Sequence, residues 1–200
     1  MLKFLGVYDY TVILTYLSLV SAVTGMTLAS NGRFTAAVLC LLLSGLCDAF
    51  DGTVARTKKN RTADEKAFGI QLDSLCDVVS FGVFPAVLCF HLGVQGILGR
   101  VILSIYCICG VMRLAYFNVL EAKRQQVEDG CGKAFHGLPI TSASLAIPLT
   151  YCARFFLKGS AFVAVLHAVL ALMAFLFILD FRVPKPNLKK LLSKTKDLQD

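Results

Sequence analysis

Two stretches of this sequence place four carboxylates among apolar residues. They read DAFDGTVAR at residues 48–56 and GIQLDSLCD at residues 69–77, with twelve residues between them. A charged side chain in such an apolar setting is costly unless it has a partner or a function. The two stretches therefore mark the ends of two apolar segments and also the candidate functional site.

The composition predicts an all-α integral membrane protein. Of the 200 residues, 56% are hydrophobic and 16% are charged, and the mean hydropathy is +0.70, whereas a soluble domain carries about 25% charged residues. The apolar residues form runs near the length of about 20 residues that a spanning helix needs. Six runs predict six transmembrane helices in a single domain covering residues 1–200: 10–29, 34–56, 69–91, 97–120, 138–157 and 160–181.

The basic residues predict how these helices are oriented. With both termini in the cytoplasm, fifteen of the twenty Lys and Arg residues fall in cytoplasmic segments, four fall in outer segments, and Arg113 lies within a span. This bias follows the positive-inside rule. It predicts a multi-pass protein of the plasma membrane with a basic cytoplasmic tail at 182–200, suited to anionic lipid headgroups. Nucleic acid is a poor candidate partner, because the basic residues flank spans and lack interleaved aromatic residues.

Helical geometry places the carboxylates of each stretch on one face. At 100° per residue, a sector of about 140° holds two acids, two small residues and an arginine: Asp48, Asp51, Gly52, Ala55 and Arg56. On the next helix a sector of about 80° holds two acids and two small residues: Gly69, Asp73, Asp77 and Ser80. Both stripes lie at the cytoplasmic ends of consecutive helices, so they are expected to face each other.

Facing carboxylates predict a divalent metal site. Four acids repel one another unless cations or protons neutralise them. Oxygen ligands favour hard ions such as Mg²⁺, Mn²⁺ or Ca²⁺, and a two-metal site stabilises the attacking and leaving oxygens of a phosphoryl transfer. Gly52 and Ala55 leave space for a bulky ligand, and Arg56 can bind phosphate oxygens. Metal-assisted cleavage of a pyrophosphate is the favoured interpretation; a divalent-cation transporter is the alternative from another functional class.

The spacing of the two stretches resembles the signature of the CDP-alcohol phosphatidyltransferase family, D-x2-D-G-x2-A-R-x8-G-x3-D-x3-D. Every fixed position of the signature is present: Asp48, Asp51, Gly52, Ala55, Arg56, Gly69, Asp73 and Asp77. The spacer at 57–68 has twelve residues instead of eight. Four further segments resemble the phosphatidylserine synthase branch of the family: LDSLCDVVSFGVFPA (72–86), RLAYFN (113–118), GLP (137–139) and FRVPK (181–185).

This resemblance implies a reaction and a set of residue roles. The phosphatidyl group of CDP-diacylglycerol would pass to L-serine with release of CMP, in a homodimer of six-span protomers that uses Mg²⁺ or Mn²⁺, as two ions. Asp48, Asp51 and Asp73 would be metal ligands, and Asp77 would be both a ligand and the general base. The contacts to the CDP-lipid would come from the remaining signature positions and two polar residues of the first span: Gly52, Ala55, Arg56, Gly69, Thr15 and Ser18.

The acceptor alcohol remains open between serine and another compound. Glycerol 3-phosphate or an inositol compound would be used by other members of the family with the same acids. A phosphorylated acceptor calls for a cluster of basic residues near spans 4–6, and only Arg113 is evident there. A small acceptor is therefore favoured.

Arg113 has three possible roles within its span. It could snorkel to the interface, pair with an acid of the site, or bind a phosphate or the carboxylate of serine. The last is the hypothesis here, because a cation in an apolar run suits an anionic substrate.

Local signals predict two features of the third helix. Thr62, followed three residues later by Glu65, resembles a capping box that opens it. Pro85 is expected to kink it. The eight cysteines lack the spacing of a zinc site and are interpreted as packing residues.

Overall fold

The fold is a bundle of apolar helices with one two-residue strand pairing. The computed structural model describes residues 6, 10–55, 58, 62–126, 135–157, 159–180 and 182–183. The α-helices, in chain order, are α1 (Ile13–Ser30), α2 (Phe34–Ala55), α3 (Ala63–Asp77), α4 (Phe84–His91), α5 (Gly96–Gln126), α6 (Ala143–Cys152) and α7 (Ser160–Ile178). Strand β1 (Phe135–His136) pairs antiparallel with β2 (Arg182–Val183). The expected all-α class is confirmed.

Five helical stretches of the described chain are long and apolar enough to cross a membrane. They are Ile13–Ser30, Phe34–Val54, Ala63–His91, Gly96–Ala122 and Ser160–Ile178. The protein is therefore a multi-pass membrane protein, as its composition predicts.

The predicted fifth run, 138–157, forms a shorter helical segment. It consists of a 3₁₀ turn (Ile140–Ser142), helix α6 and a second 3₁₀ turn (Ala153–Phe155). Pro139 precedes the segment and Pro148 lies inside α6. Each proline removes one backbone donor, so the regular helix here is shorter than the apolar run.

The third spanning helix begins earlier than its apolar run. Thr62 and Glu65 form the predicted capping box: the Glu65 N–H donates to Thr62 Oγ1 at 3.1 Å, and the Thr62 N–H donates to Glu65 Oε2 at 3.0 Å. Because this box closes the first turn, α3 starts at Ala63. The second half of the predicted loop 57–68 is thus helical rather than irregular.

The same span changes geometry in its middle. Residues Val78–Val83 form a π-helical turn before α4 begins. Pro85 has no N–H and cannot donate to the carbonyl of Phe81, four residues earlier. The hydroxyl of Tyr106 on α5 donates to that carbonyl instead, at 2.6 Å, and Tyr106 is fully buried. The irregularity predicted at Pro85 is therefore present as a π turn that another helix completes.

Glycines set the distance between neighbouring helices. A Cβ atom added to Gly25 on α1 would lie 2.2 Å from the ring carbon Cζ of Phe84. A Cβ atom added to Gly45 on α2 would lie 2.2 Å from Ser144 Oγ on α6. Small residues at such positions let helices approach closely in a membrane, and they hold α4 and α6 against the first two helices.

We expect Gly25→Ala to destabilise the bundle, because the added methyl group overlaps the buried ring of Phe84. Overpacking of this kind costs about 1–3 kcal/mol and should lower the thermal unfolding midpoint of the purified protein in detergent. The matched control is Gly52→Ala on α2, where an added Cβ meets nothing within 4 Å. The control should keep or raise the midpoint, since Ala favours a helix over Gly by about 1 kcal/mol. Equal midpoints in the two variants would contradict the close packing at Gly25.

Candidate functional site

The predicted carboxylate stripes meet between α2 and α3, which both pack against α1. Asp48, Asp73 and Asp77 each offer a carboxylate oxygen, and these oxygens lie within 4.8 Å of one another. Asp77 is a close neighbour of Asp48, and Asp73 is a close neighbour of Asp51. Residue numbers rise along α2 in the direction in which they fall along α3, as expected for antiparallel helices. Each acid of α2 therefore faces one acid of α3.

Burial makes this cluster unfavourable without a cation or proton. Asp77 is only 8% exposed, and the other three acids are half-buried. Asp73 Oδ1 is buried with no hydrogen-bond partner. Among the residues that the structure describes, no Lys or Arg forms an ion pair with any of the four. A desolvated carboxylate needs compensation, so an orphaned oxygen in an all-oxygen donor set fits a divalent cation.

Hydroxyl groups surround the acids on the side facing the membrane interior. Thr15 Oγ1 on α1 donates to Asp51 Oδ2 at 3.4 Å. One turn deeper, Ser18 Oγ lies 2.7 Å from Ser44 Oγ and 3.4 Å from Ser80 Oγ. Ser44 and Ser80 are fully buried. This hydroxyl layer joins α1, α2 and the π turn directly below the carboxylates.

Thr15 and Ser18 were predicted to contact the CDP-lipid; the structure places Thr15 against Asp51 and Ser18 one turn deeper, against Ser44 and Ser80. Ser80 belongs to the predicted stripe of α3, whereas Ser44 was not predicted to be part of the site. Its position four residues before Asp48 places it one helical turn from that acid. That spacing is the signal that could have found it.

The small residues of the signature have different surroundings. Gly52 is exposed, and open space surrounds the position of a Cβ. Gly69 is half-buried within α3. Ala55 is the last residue of α2, but its side chain and the whole of Arg56 lie outside the described residues. Gly52 therefore leaves room for a ligand beside the acids.

Arg113 lies on α5 and faces the segment that leads into α6. Its Nε donates to the Leu138 carbonyl at 3.0 Å, and the Asp180 carboxylate is an anion near it. Arg113, Tyr116 and Asp180 line a pocket of about 320 Å³ between α5 and the end of α7. The described partners of Arg113 include none of the four acids. The possible pairing of Arg113 with an acid of the site is therefore not observed among the described contacts. Asp180 was not predicted as its neighbour.

Gly137 lets this segment pass close to Arg113. Its backbone has a positive φ of 66°, which suits glycine. An added Cβ would lie 2.9 Å from the Leu179 carbonyl oxygen and 3.6 Å from Arg113 Cζ. A Cβ atom here would require the Leu179 carbonyl or the Gly137 segment to shift.

Comparisons with known proteins agree with the geometry of the site. The family model for CDP-alcohol phosphatidyltransferase matches residues 10–179. The chain is 37% identical over 169 residues to the CDP-diacylglycerol–serine O-phosphatidyltransferase of Saccharomyces cerevisiae, which covers 81% of this chain and 58% of the relative. It is 36% identical over 160 residues to the archaetidylserine synthase of Methanothermobacter thermautotrophicus, covering 79% and 64%.

A third relative is matched over more of its length. The chain is 33% identical over 173 residues to the CDP-diacylglycerol–serine O-phosphatidyltransferase of Methanocaldococcus jannaschii, covering 86% of this chain and 74% of the relative. The chain thus spans less than two thirds of the first two relatives and about three quarters of the third. No solved structure matches it.

The family match and the site coincide in this chain. All four acids and all of the described helices lie inside residues 10–179. The signature spacing, the meeting of the acids and the match over most of the sequence lead to one conclusion. This chain belongs to the CDP-alcohol phosphatidyltransferase family.

Proposed function

We propose that this protein transfers the phosphatidyl group of CDP-diacylglycerol to L-serine, giving phosphatidylserine and CMP. The observation that carries the proposal is the meeting of Asp48, Asp51, Asp73 and Asp77 in a partly buried all-oxygen cluster between α2 and α3. Relatives named as serine O-phosphatidyltransferases support serine as the acceptor.

The four acids are the proposed ligands of two Mg²⁺ or Mn²⁺ ions. The two cross-helix pairs, Asp48 with Asp77 and Asp51 with Asp73, supply carboxylate oxygens from both helices. Bound divalent ions supply the positive charge that a pyrophosphate and a departing CMP require. The Asp73 oxygen that lacks a hydrogen bond supports this assignment.

Asp77 is the proposed general base. The hydroxyl of serine is a weak nucleophile and needs a base within hydrogen-bonding reach. Asp77 accepts the hydroxyl proton while the serine oxygen bonds to the lipid-side phosphorus. The bond from that phosphorus to the bridging oxygen breaks, and CMP leaves with the bond's electrons.

The CDP-lipid is proposed to lie along the exposed face of α2. Gly52 leaves open space beside the acids, and Thr15 presents a hydroxyl to Asp51 at the same level. Thr15 is better placed than Ser18, whose hydroxyl already contacts Ser44. The other proposed contacts come from the signature: Ala55, Arg56 and Gly69.

Arg113 is the proposed site for the serine carboxylate or for a phosphate oxygen. It is a half-buried cation that lines a pocket large enough for a small acceptor. The hydrogen bond to the Leu138 carbonyl fixes its orientation. Arginine binds a carboxylate through two parallel hydrogen bonds.

The proposed placement is a plasma membrane protein with the acids facing the cytoplasm. The bias of basic residues supports cytoplasmic termini and six spans, with the segment 138–157 as the fifth. One domain covering residues 1–200 and a homodimer complete the proposal, both from the family resemblance. Cation transport is less well supported: in the described spans, no Asp or Glu lies in the helix halves away from the cluster.

The first test is CMP release by the purified protein. With CDP-diacylglycerol and Mn²⁺ or Mg²⁺, we expect L-serine to give CMP and phosphatidylserine, whereas glycerol 3-phosphate, inositol 1-phosphate and inositol give neither. A chelator should abolish release, because the acids then lack their ions. Release with another acceptor alone would overturn the choice of serine, and no release with any acceptor would overturn the enzyme proposal.

Asp77→Asn should abolish turnover while CDP-lipid binding largely survives. The amide cannot accept the hydroxyl proton, and a positioned base contributes about 10²- to 10⁴-fold in rate. The measurement is kcat by CMP release, together with binding of CDP-diacylglycerol in detergent. Asp64→Asn, at an exposed residue in the first turn of α3, is the matched control and should keep full activity. Turnover like wild type in Asp77→Asn would remove Asp77 from this role.

Arg113→Lys should raise the KM for serine about tenfold or more, because lysine cannot make the paired hydrogen bonds of a guanidinium. Arg100→Lys, at an exposed position near the other end of α5, is the control and should leave the kinetics unchanged. If Arg113→Lys left both kcat and the KM for serine unchanged, Arg113 would have no part in acceptor binding.

A further inference from the structure

We propose that Tyr106 is a positioning residue for Asp77: its hydroxyl holds the π turn that follows Asp77 in the geometry that keeps this carboxylate beside Asp48. The inference rests on the proposed function, in which Asp77 is a ligand and the base. Tyr106 itself touches neither substrate nor acid.

The Phe81 carbonyl cannot receive its usual hydrogen bond from its own helix. Pro85 lacks the N–H that would close an α-helical turn on Phe81. Phe81 and Tyr106 are both fully buried, so water is not an alternative donor, and a buried carbonyl without a donor is strongly unfavourable. The Tyr106 hydroxyl supplies the hydrogen bond at 2.6 Å. The neighbouring Cys107 thiol contacts the Gly82 carbonyl at 3.5 Å, so α5 holds two consecutive carbonyls of the π turn.

The π turn sets the rotation of Asp77 relative to Phe84. A π turn inserts about one residue relative to an α-helix, which rotates the two ends against each other by about 100°. Within the turn, the Phe84 N–H donates to the Val79 carbonyl, five residues earlier. If the turn relaxed to an α-helix, Asp77 would rotate by this angle relative to Phe84.

Both ends of the turn are fixed. Before it, Asp77 has a carboxylate oxygen within 4.8 Å of a carboxylate oxygen of Asp48 on α2. After it, the Phe84 ring packs against Gly25 of α1 so closely that an added Cβ would lie 2.2 Å away. Both contacts therefore depend on the inserted residue. Ser80 also anchors the turn, but its 3.4 Å contact with Ser18 is longer than the bond from Tyr106.

The structure offers a clean way to remove this hydrogen bond. The Tyr106 ring packs against the Phe177 ring with 5.6 Å between centroids, so Tyr106→Phe keeps the packing and deletes only the hydroxyl. The matched control is Tyr151→Phe. Tyr151 is also buried, and its hydroxyl lies 3.0 Å from Thr35 Oγ1 at the opposite end of α2 from the acids.

The experiment compares three properties of these variants with wild type: Mn²⁺ binding measured by electron paramagnetic resonance, kcat by CMP release, and the thermal unfolding midpoint. We expect Tyr106→Phe to weaken Mn²⁺ binding and to lower kcat, each by about tenfold or more, as the loss of an orienting contact behind a metal ligand does. Tyr151→Phe should lower only the midpoint.

A second variant approaches the same turn from the backbone. Pro85→Ala restores an N–H that can donate to the Phe81 carbonyl and close an α-helical turn. Like Tyr106→Phe, it should weaken Mn²⁺ binding, and this result can be measured even if Tyr106→Phe does not fold. Wild-type Mn²⁺ binding in Pro85→Ala would show that the π turn does not position Asp77.

The remaining outcomes separate this inference from the proposed function. Wild-type Mn²⁺ binding and kcat in Tyr106→Phe, or equal losses in both tyrosine variants, would overturn the role of Tyr106. A wild-type protein that binds Mn²⁺ but releases no CMP would overturn the proposed function, and the Mn²⁺ comparison would still decide on Tyr106. A wild-type protein that binds no Mn²⁺ and releases no CMP with Mn²⁺ or Mg²⁺ would overturn both.

Discussion

Repulsion between four carboxylates that meet between α2 and α3 is the constraint on which the rest of this structure depends. Left alone, α2 and α3 would separate at that end, because each acid of one helix faces an acid of the other. The neighbouring helices oppose this. Thr15 donates to Asp51 from α1, and Ser74, next to Asp73, donates to Asn118 of α5 at 2.9 Å. The site is thus held from outside as well as from within.

The hydroxyl layer shows how such a site is built into an apolar chain. Polar groups inside a membrane protein need partners in the protein itself, and Ser18, Ser44 and Ser80 satisfy one another. Their small side chains also let three helical segments approach closely. Below this layer the bundle becomes apolar, with Phe84 and Leu41 fully buried. The carboxylates and the hydroxyl layer therefore occupy one end of the helices.

Features that depend on local spacing were predictable from the sequence. Helical periodicity predicted that the acids lie on facing stripes, and the capping box predicted at Thr62 is present at the start of α3. The π turn required more, because Pro85 signals a break but not that Tyr106, 21 residues away, completes it. The surroundings of Arg113 were equally hidden, since Leu138 and Asp180 come from distant segments. Apolar composition also predicted too long a regular helix at 138–157, because two prolines lie in that run.

The π turn also links two positions that are far apart in the chain. Pro85 withdraws a backbone donor, and Tyr106 replaces it from a different helix. Without Pro85, the Tyr106 hydroxyl would add little stability, because a backbone N–H could donate to the Phe81 carbonyl. Without Tyr106, Pro85 would leave that buried carbonyl without a donor. The two residues therefore act as one unit, and the effects of substituting them are expected to be non-additive, because both changes alter the donor to the same Phe81 carbonyl.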